Sequence, residues 1–441
     1  LEELINYFPG DEEGPAADAK EPFAARVELA TCPWQPHHRL ARIAIQGKQV
    51  QKGSKASNLV FLVDVSGSMD DPQKLPLVKQ SLRMLAEQMG EGDRVSMVTY
   101  ASGTQVVLPP TNGENRSRVI AAVDQLQANG STNGAGGLQL AYEQAVAGFI
   151  QDGINRVILC TDGDFNVGIS DPAQLEKFIA EKARSGVFLS VLGFGSGNLK
   201  DRTMETLADK GNGNYAYIDG LAEARKVLVE QMAGTLVTIA KDVKVQIEFN
   251  PAQVRAYRLI GYENRLLAKE DFNDDTKDAG EIGSGHRVVA LYELVPANLP
   301  PGVGPDRLVD TLKYQTLASP TSKELNETKP ATTGADAAAA SKELMTVKLR
   351  YKQPQGETSS KIELPVTDAG KTLEAASSEF QFSASVAAFG LLLRDSSYKG
   401  TLTWESVRKL ALAGKGPDKL GYRGEFLQLI DKAAGLKQTR P

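Results

Sequence analysis

The sequence predicts an α/β domain, doubly wound around a mostly parallel sheet, inserted into a β-sandwich-like domain and followed by C-terminal helices. Three observations predict it. Continuous apolar runs at 59–63, 157–160 and 187–192 alternate with helical patterns, as strands buried on both faces of a parallel sheet do. After residue 241 the apolar period switches to two, the mark of half-buried antiparallel strands. From about residue 371 it switches again, to the spacing of a helix face.

Taken in order, residues 1–22 read as a loop carrying the acidic cluster Asp11, Glu12 and Glu13. Two short strands are expected at 26–30 and 40–47, separated by Cys32-Pro-Trp-Gln-Pro36, where two prolines in five residues make a corner. These strands have no place in a parallel sheet and are assigned to the all-β unit. Helical patterns fall at 77–89, 118–127, 138–149, 173–183 and 222–232. The strand-helix alternation repeats about five times. Beyond it, Val243, Val245, Ile247 and Phe249 alternate with polar residues. So do Met345, Val347, Leu349 and Tyr351, and then Ile362, Leu364 and Val366, with a further strand expected over 287–295. The Thr-, Ala-, Lys- and Pro-rich stretch 319–341 reads as a loop inserted between strands. Phe382, Val386, Phe389 and Leu393 mark one apolar helix face, and two more helices are expected at 404–412 and 422–434. The expected domains are a flank at 1–55, the α/β domain at 56–240, the β domain at 241–370 and the helical region at 371–441.

Length and composition agree with several domains. The 441 residues are about three times the length prior for one domain. Lys plus Arg number 50 and Asp plus Glu 55, for a net charge of -5, which argues against a general nucleic-acid binder. No run of about 20 apolar residues is present to span a bilayer. No signal peptide is visible, but the chain opens at Leu1 instead of Met, so that absence carries little weight and an export signal would lie upstream of Leu1. With two Cys, three His and no CxxC or HExxH spacing, a Cys/His zinc site is excluded and any metal must have oxygen ligands. Cys32 and Cys160 are the one pair available for a disulfide, and Cys160, inside an apolar run, reads as a packed thiol.

The chemistry-bearing residues collect at strand ends. The first buried strand runs into Asp64-Val-Ser66-Gly-Ser68, three oxygen donors spaced by two just before a helix. Ligands of open α/β sheets bind at the carboxyl ends of the strands, and a turn with Gly67 as its free hinge folds both hydroxyls back toward Asp64. Gly130-Ser-Thr132-Asn-Gly134 precedes another helix, and Thr161-Asp162-Gly-Asp164 follows the next apolar strand. Together Asp64, Ser66, Ser68, Thr132 and Asp162 offer three hydroxyls and two carboxylates, a set suited to Mg²⁺, and also to Mn²⁺ or Ca²⁺. Asp, Ser and Gly are also common in turns for conformational reasons, so the five-residue motif alone is weak and the convergence of three loops gives it weight.

This pattern resembles the metal-ion-dependent adhesion site (MIDAS) of the von Willebrand factor type A (VWA) domain. The resemblance implies that Ser66, Ser68 and Thr132 ligate a divalent ion directly. Asp64 and Asp162 would act directly or through water, and a partner Asp or Glu would take the vacant position. The flanks Glu3-Leu-Ile-Asn-Tyr-Phe8, Cys32-Pro-Trp-Gln-Pro-His-His-Arg39 and Phe389-Gly-Leu-Leu-Leu-Arg-Asp395 look like those of bacterial YfbK-type proteins. That resemblance covers essentially the whole chain and implies an extracytoplasmic location, in the periplasm or at the cell surface.

Other signals read as structure. Gly193-Phe-Gly195-Ser-Gly197 lacks the third glycine of a dinucleotide loop and is read as a turn leaving a buried strand. The acidic stretch from Asp271 to Glu281 has Thr276 and Ile282 where a calcium loop needs Gly and Glu, so it reads as a solvated loop. His37, His38 and His286 have no Gly-x-Ser-x-Gly elbow to serve. The expectation is therefore a non-enzymatic, metal-dependent protein-binding module. A metal-dependent hydrolase lacks a convincing general base here, and an envelope assembly factor is the third reading.

Overall fold

The computed structural model describes residues 1–16, 18–50, 55–131, 135–163, 172–195, 201–231, 237–262, 272, 280–299, 341–354, 356 and 358–438. In chain order, α1 (Glu2–Tyr7), β1 (Phe23–Cys32) and β2 (Gln35–Gly47) precede the α/β domain. That domain comprises β3 (Ser57–Asp64), α2 (Leu75–Gln88), β4 (Arg94–Tyr100), β5 (Thr104–Asn112), α3 (Arg116–Asp124), α4 (Ala135–Ala147), β6 (Ile154–Thr161), α5 (Pro172–Arg184), β7 (Phe188–Phe194), α6 (Asp201–Lys210) and β8 (Tyr215–Ile218). It ends in α7 (Leu221–Arg225), which continues as a wider π-type turn over Lys226–Gln231. Strands β9 (Thr238–Phe249), β10 (Val254–Ile260), β11 (Gly280–Gly283), β12 (Arg287–Pro296), β13 (Glu343–Lys352) and β14 (Ser359–Thr367) follow. Helices α8 (Ser378–Leu393), α9 (Trp404–Ala413) and α10 (Tyr422–Gln438) close the chain.

The α/β sheet has the order β5-β4-β3-β6-β7-β8 and is parallel except at its edge, where β5 runs antiparallel to β4. Alternate residues of β3 feed two cores. Leu59, Phe61 and Val63 pack with α2, α3 and α7, whereas Val60 and Leu62 pack with α4, α5 and α6. Strand β3 thus has no polar face, which is why its sequence is a continuous apolar run. From β3 the chain turns to β4 on one side and returns to β6 on the other. The carboxyl ends of β3 and β6 therefore flank the crevice where such sheets take ligands.

The remaining strands form two antiparallel four-stranded sheets, β1-β2-β12-β10 and β11-β9-β13-β14. Strand β2 pairs with β12 (Ala44 opposite Val289), so the flank before the α/β domain and the chain after it complete one sheet. Ala41, Ile43 and Ile45 of β2 face Val347 and Leu349 of β13 across the sandwich core. Leu40 and Ala44 point the other way, against α8, α9 and α10. The fold is therefore a doubly wound α/β domain inserted into a β-sandwich, with helices covering one outer face.

Three local expectations are corrected. The opening is not all loop: Glu2–Tyr7 is helical, with Ile5 and Phe8 buried against α8 and α10. Helix α8 has no solvated face to match its apolar stripe, because Phe380, Ser383, Ala384, Ser385, Val386, Ala387 and Ala388 are all buried. Gly67 does not have a positive φ; it starts a 3₁₀ turn over Gly67–Met69. Both cysteines are buried free thiols, Cys160 in the α/β core and Cys32 beneath the helices. The stretch 319–340 lies outside the described residues, as do Asp271 and residues 273–279 of the acidic segment.

Candidate metal centre

Asp64 is the last residue of β3 and is fully buried. Its Oδ1 accepts the backbone N–H of Ser66 at 2.9 Å, the bond that folds the loop back over the strand end. Its Oδ2 accepts the Tyr100 hydroxyl at 3.0 Å and the Thr161 hydroxyl at 3.4 Å. Tyr100 lies directly opposite Asp64 in the parallel β3–β4 pair. Burial raises the Asp64 carboxyl above the ordinary Asp range, against these hydrogen bonds, and the Asp162 charge pushes the same way.

The folded-back loop brings the Ser66 and Ser68 hydroxyls to 3.1 Å from each other, with Ser66 buried and Ser68 exposed. Two neighbouring ligands of an octahedral Mg²⁺ stand about 3.0 Å apart when each metal–oxygen bond is about 2.1 Å. The hydroxyl pair thus matches one edge of such an octahedron, and the exposed Ser68 leaves the site open to solvent. Asp162 follows the end of β6 and is 8% exposed. The next residue, Gly163, has a φ of 98° and donates its N–H to Thr161 Oγ1 at 3.2 Å.

The third loop is tied to the first by backbone bonds. Asn129 N–H donates to the Val65 carbonyl at 2.7 Å, and Gly67 N–H donates to the Gly130 carbonyl at 2.9 Å. Gly67 thus ties the two loops through its N–H, and a Cβ at this position would meet only the Gly130 carbonyl oxygen, at 3.4 Å. Thr132 lies outside the described residues. Among the described residues no three His, Cys, Asp or Glu side chains converge as a metal cluster, so the donor set here is hydroxyl-rich with two carboxylates. Such a hard, all-oxygen set fits Mg²⁺, Mn²⁺ or Ca²⁺.

The structure adds residues the motif did not contain. Lys74 donates from Nζ to Asp162 Oδ2 and to the Ser68 carbonyl, both at 2.9 Å. Tyr100 and Thr161 hold Asp64. Thr161 was within sight as the neighbour of Asp162, whereas Tyr100 and Lys74 reach the site only through strand register and helix placement. Of the histidines, His38 is buried with Nδ1 2.6 Å from Glu293 Oε1, inside the β-sandwich and its helical cover. Trp34 donates its indole N–H to the other oxygen of Glu293 at 3.0 Å.

The comparisons with known proteins follow this geometry. The profile described as "von Willebrand factor type A domain" matches residues 58–231, and one described as "Uncharacterized protein YfbK, C-terminal" matches residues 234–436. A third, "von Willebrand factor", matches residues 1–42. The protein "Uncharacterized protein YfbK" of Escherichia coli is 44% identical over 442 residues, covering 99% of this chain and 73% of that protein. Inter-alpha-trypsin inhibitor heavy chain H1 of Sus scrofa is 29% identical over 200 residues, 43% of this chain and 22% of that one. Among solved structures, a von Willebrand factor type A protein from Catenulispora acidiphila covers 92% of this chain and 90% of its own at 16% identity, with a TM-score of 0.44. The chain belongs to the YfbK family of VWA-domain proteins.

Proposed function

We propose that the chain is a metal-ion-dependent protein-binding module. A single divalent cation, Mg²⁺ by preference, would be held by Ser66, Ser68 and Thr132, with Asp64 and Asp162 supporting it directly or through water. When bound, the ion supplies an electrophilic position that takes a partner's Asp or Glu carboxylate in place of water. The observation that carries this reading is the Ser66–Ser68 hydroxyl pair, 3.1 Å apart and open to solvent above the buried Asp64. The chain's own residues do the positioning. Tyr100 and the Ser66 N–H occupy both Asp64 oxygens, so this carboxylate is oriented before any ion arrives. Attraction between the ion and a carboxylate grows as surrounding groups exclude water, which the buried side of the site does.

The resemblance to the VWA domain, matched over residues 58–231, implies metal-dependent protein interactions, and the match to the inter-alpha-trypsin inhibitor heavy chain covers 43% of this chain. Among the described residues no helix is long and apolar enough to cross a membrane. An extracytoplasmic location follows from the family resemblance.

The test is a capture experiment with the full chain as bait on cell-envelope extracts. Partner binding that disappears with EDTA, returns with Mg²⁺ and is absent from Ser66→Ala supports metal-bridged recognition. Binding indifferent to chelation would favour an assembly factor whose contacts lie elsewhere. Phosphoester or peptide hydrolysis that vanished in Ser66→Ala would favour the hydrolase.

A further inference from the structure

We propose that Lys74 is a tethered stand-in for the divalent ion: its ammonium holds the metal-free site together and has to yield Asp162 when the ion binds. The proposal rests on reading this site as a metal centre and adds the residue that sets its affinity. Lys74 Nζ bridges two of the loops that converge here, donating at 2.9 Å to the Ser68 carbonyl and at 2.9 Å to Asp162 Oδ2. The pair is largely shielded, with the Lys74 side chain 21% exposed and that of Asp162 4%. A bound cation would tie the same loops by the same kind of contact.

The fold is shaped to place this side chain. Lys74 stands at the N-cap position of α2 without a side-chain capping bond, at an end whose macrodipole favours anions, so its charge needs a local partner. Its stem runs over Gly195, just beyond β7, where φ is 85°. A Cβ at Gly195 would sit 2.6 Å from Lys74 Cε and 2.8 Å from Cγ. Lys74 sets a positive charge beside Asp162, whose own negative charge pushes up the carboxyl of the buried Asp64. A divalent ion at the Asp162 carboxylate repels an ammonium on the same group. Ion binding therefore has to break or weaken the Lys74 contact, and the strength of that contact is lost from the ion's affinity.

The experiment is calorimetric titration of MnCl₂ into the full chain, with thermal unfolding in EDTA alongside. Lys74→Met is expected to bind Mn²⁺ about tenfold more tightly, the worth of one charge-assisted hydrogen bond, and to unfold at lower temperature in EDTA. Lys79→Met is the control for simple loss of charge. Lys79 lies on the same helix and donates to the Asp124 and Leu126 carbonyls, so its removal should leave Mn²⁺ affinity within about twofold. If Lys74→Met does not fold, Gly195→Ala displaces the lysine stem and should also tighten Mn²⁺. Affinity unchanged or weakened in the Lys74 variant, or in Gly195→Ala where that replaces it, would overturn the proposal while leaving the metal-site reading intact. Binding seen in Lys74→Met and not in the parent would support both. No Mn²⁺ binding by either at millimolar concentration would overturn both.

Discussion

Asp64 ends its strand inside the protein, and what stabilises it there is specific. One oxygen accepts the Ser66 N–H and the other accepts the hydroxyls of Tyr100 and Thr161. Removing one of these bonds loosens a carboxylate of the proposed metal site. Tyr100→Phe is therefore expected to weaken Mg²⁺ affinity about tenfold, the usual scale for groups that orient metal-site residues. It should lower stability by about 1 kcal/mol, because one buried hydrogen bond is lost. Equal Mg²⁺ affinity in the two proteins would contradict the role given to Tyr100. At this scale the sequence shows which residue types gather at strand ends: Asp64, Ser66, Ser68 and Asp162 all stand on one crevice. It does not show Tyr100 or Lys74. Tyr100 is 36 residues from Asp64 and meets it only because β3 and β4 pair in that register. Lys74 looks like any surface lysine until the helix and the glycine beneath it are placed.

Helix α7 and the π-type turn after it connect the α/β domain to both flanks. Tyr7 of α1 donates to Glu223 at 2.7 Å, Tyr422 of α10 donates to Glu230 at 3.2 Å, and Lys226 lies over the Tyr7 ring, 2.9 Å from its centroid. Burial pulls the Lys226 ammonium down to about 8, despite Glu223 and Glu230 nearby. Between about pH 8 and 10 the unfolded chain then holds on Lys226 a proton that the folded chain has released, so the contribution of this group to stability rises with pH. The thiols of Cys32 and Cys160 and the hydroxyls of Tyr7 and Tyr422, all pushed up by burial, act the other way as they ionise in the unfolded chain. Urea unfolding of the parent and of Lys226→Met across that window checks this: the stability of the parent relative to the variant should rise with pH, and a constant difference would contradict it. Elements with one clear period were legible, among them β3, β6, β7, β12, β13 and the three C-terminal helices. Strand β5 was not, because Pro109 and Pro110 speak against a strand and are tolerated only at a sheet edge, where β5 lies. Along β9, Val243, Ile247 and Phe249 pack against the sandwich core as period two implies, with one exception. Val245 is 42% exposed, while Lys244 is buried 3.3 Å from Asp242.

The whole molecule is held together by its ends. Glu12, read from the sequence as part of an acidic cluster in a loop, pairs with Arg42 of β2 and Arg287 of β12. Glu379 of α8 pairs with Arg287 and with Arg423 of α10. Phe8 packs edge-on against Phe382 and Phe426, at 4.9 and 5.2 Å. The segment before β1 thus joins the sandwich to the C-terminal helices. Glu12→Gln leaves two buried guanidinium groups short of charge and should destabilise the chain by about 3 kcal/mol in denaturant unfolding. A loss below about 0.5 kcal/mol would show the network to be dispensable. The insertion of the α/β domain was legible because strands without a parallel partner stood on both sides of it. The ion network was not, since nothing in a run of acidic residues says which one is buried. One ion per chain, bound to the folded state alone, should stabilise the entire molecule by mass action, by about 2.7 kcal/mol at a hundred times Kd. The most direct test is titration of Mg²⁺ and Mn²⁺ into the full chain, followed by calorimetry and by unfolding temperature together. The account predicts one site per chain and a rise in unfolding temperature with ion concentration, both lost in Ser66→Ala and Asp162→Ala. No heat and no shift at millimolar ion would contradict it.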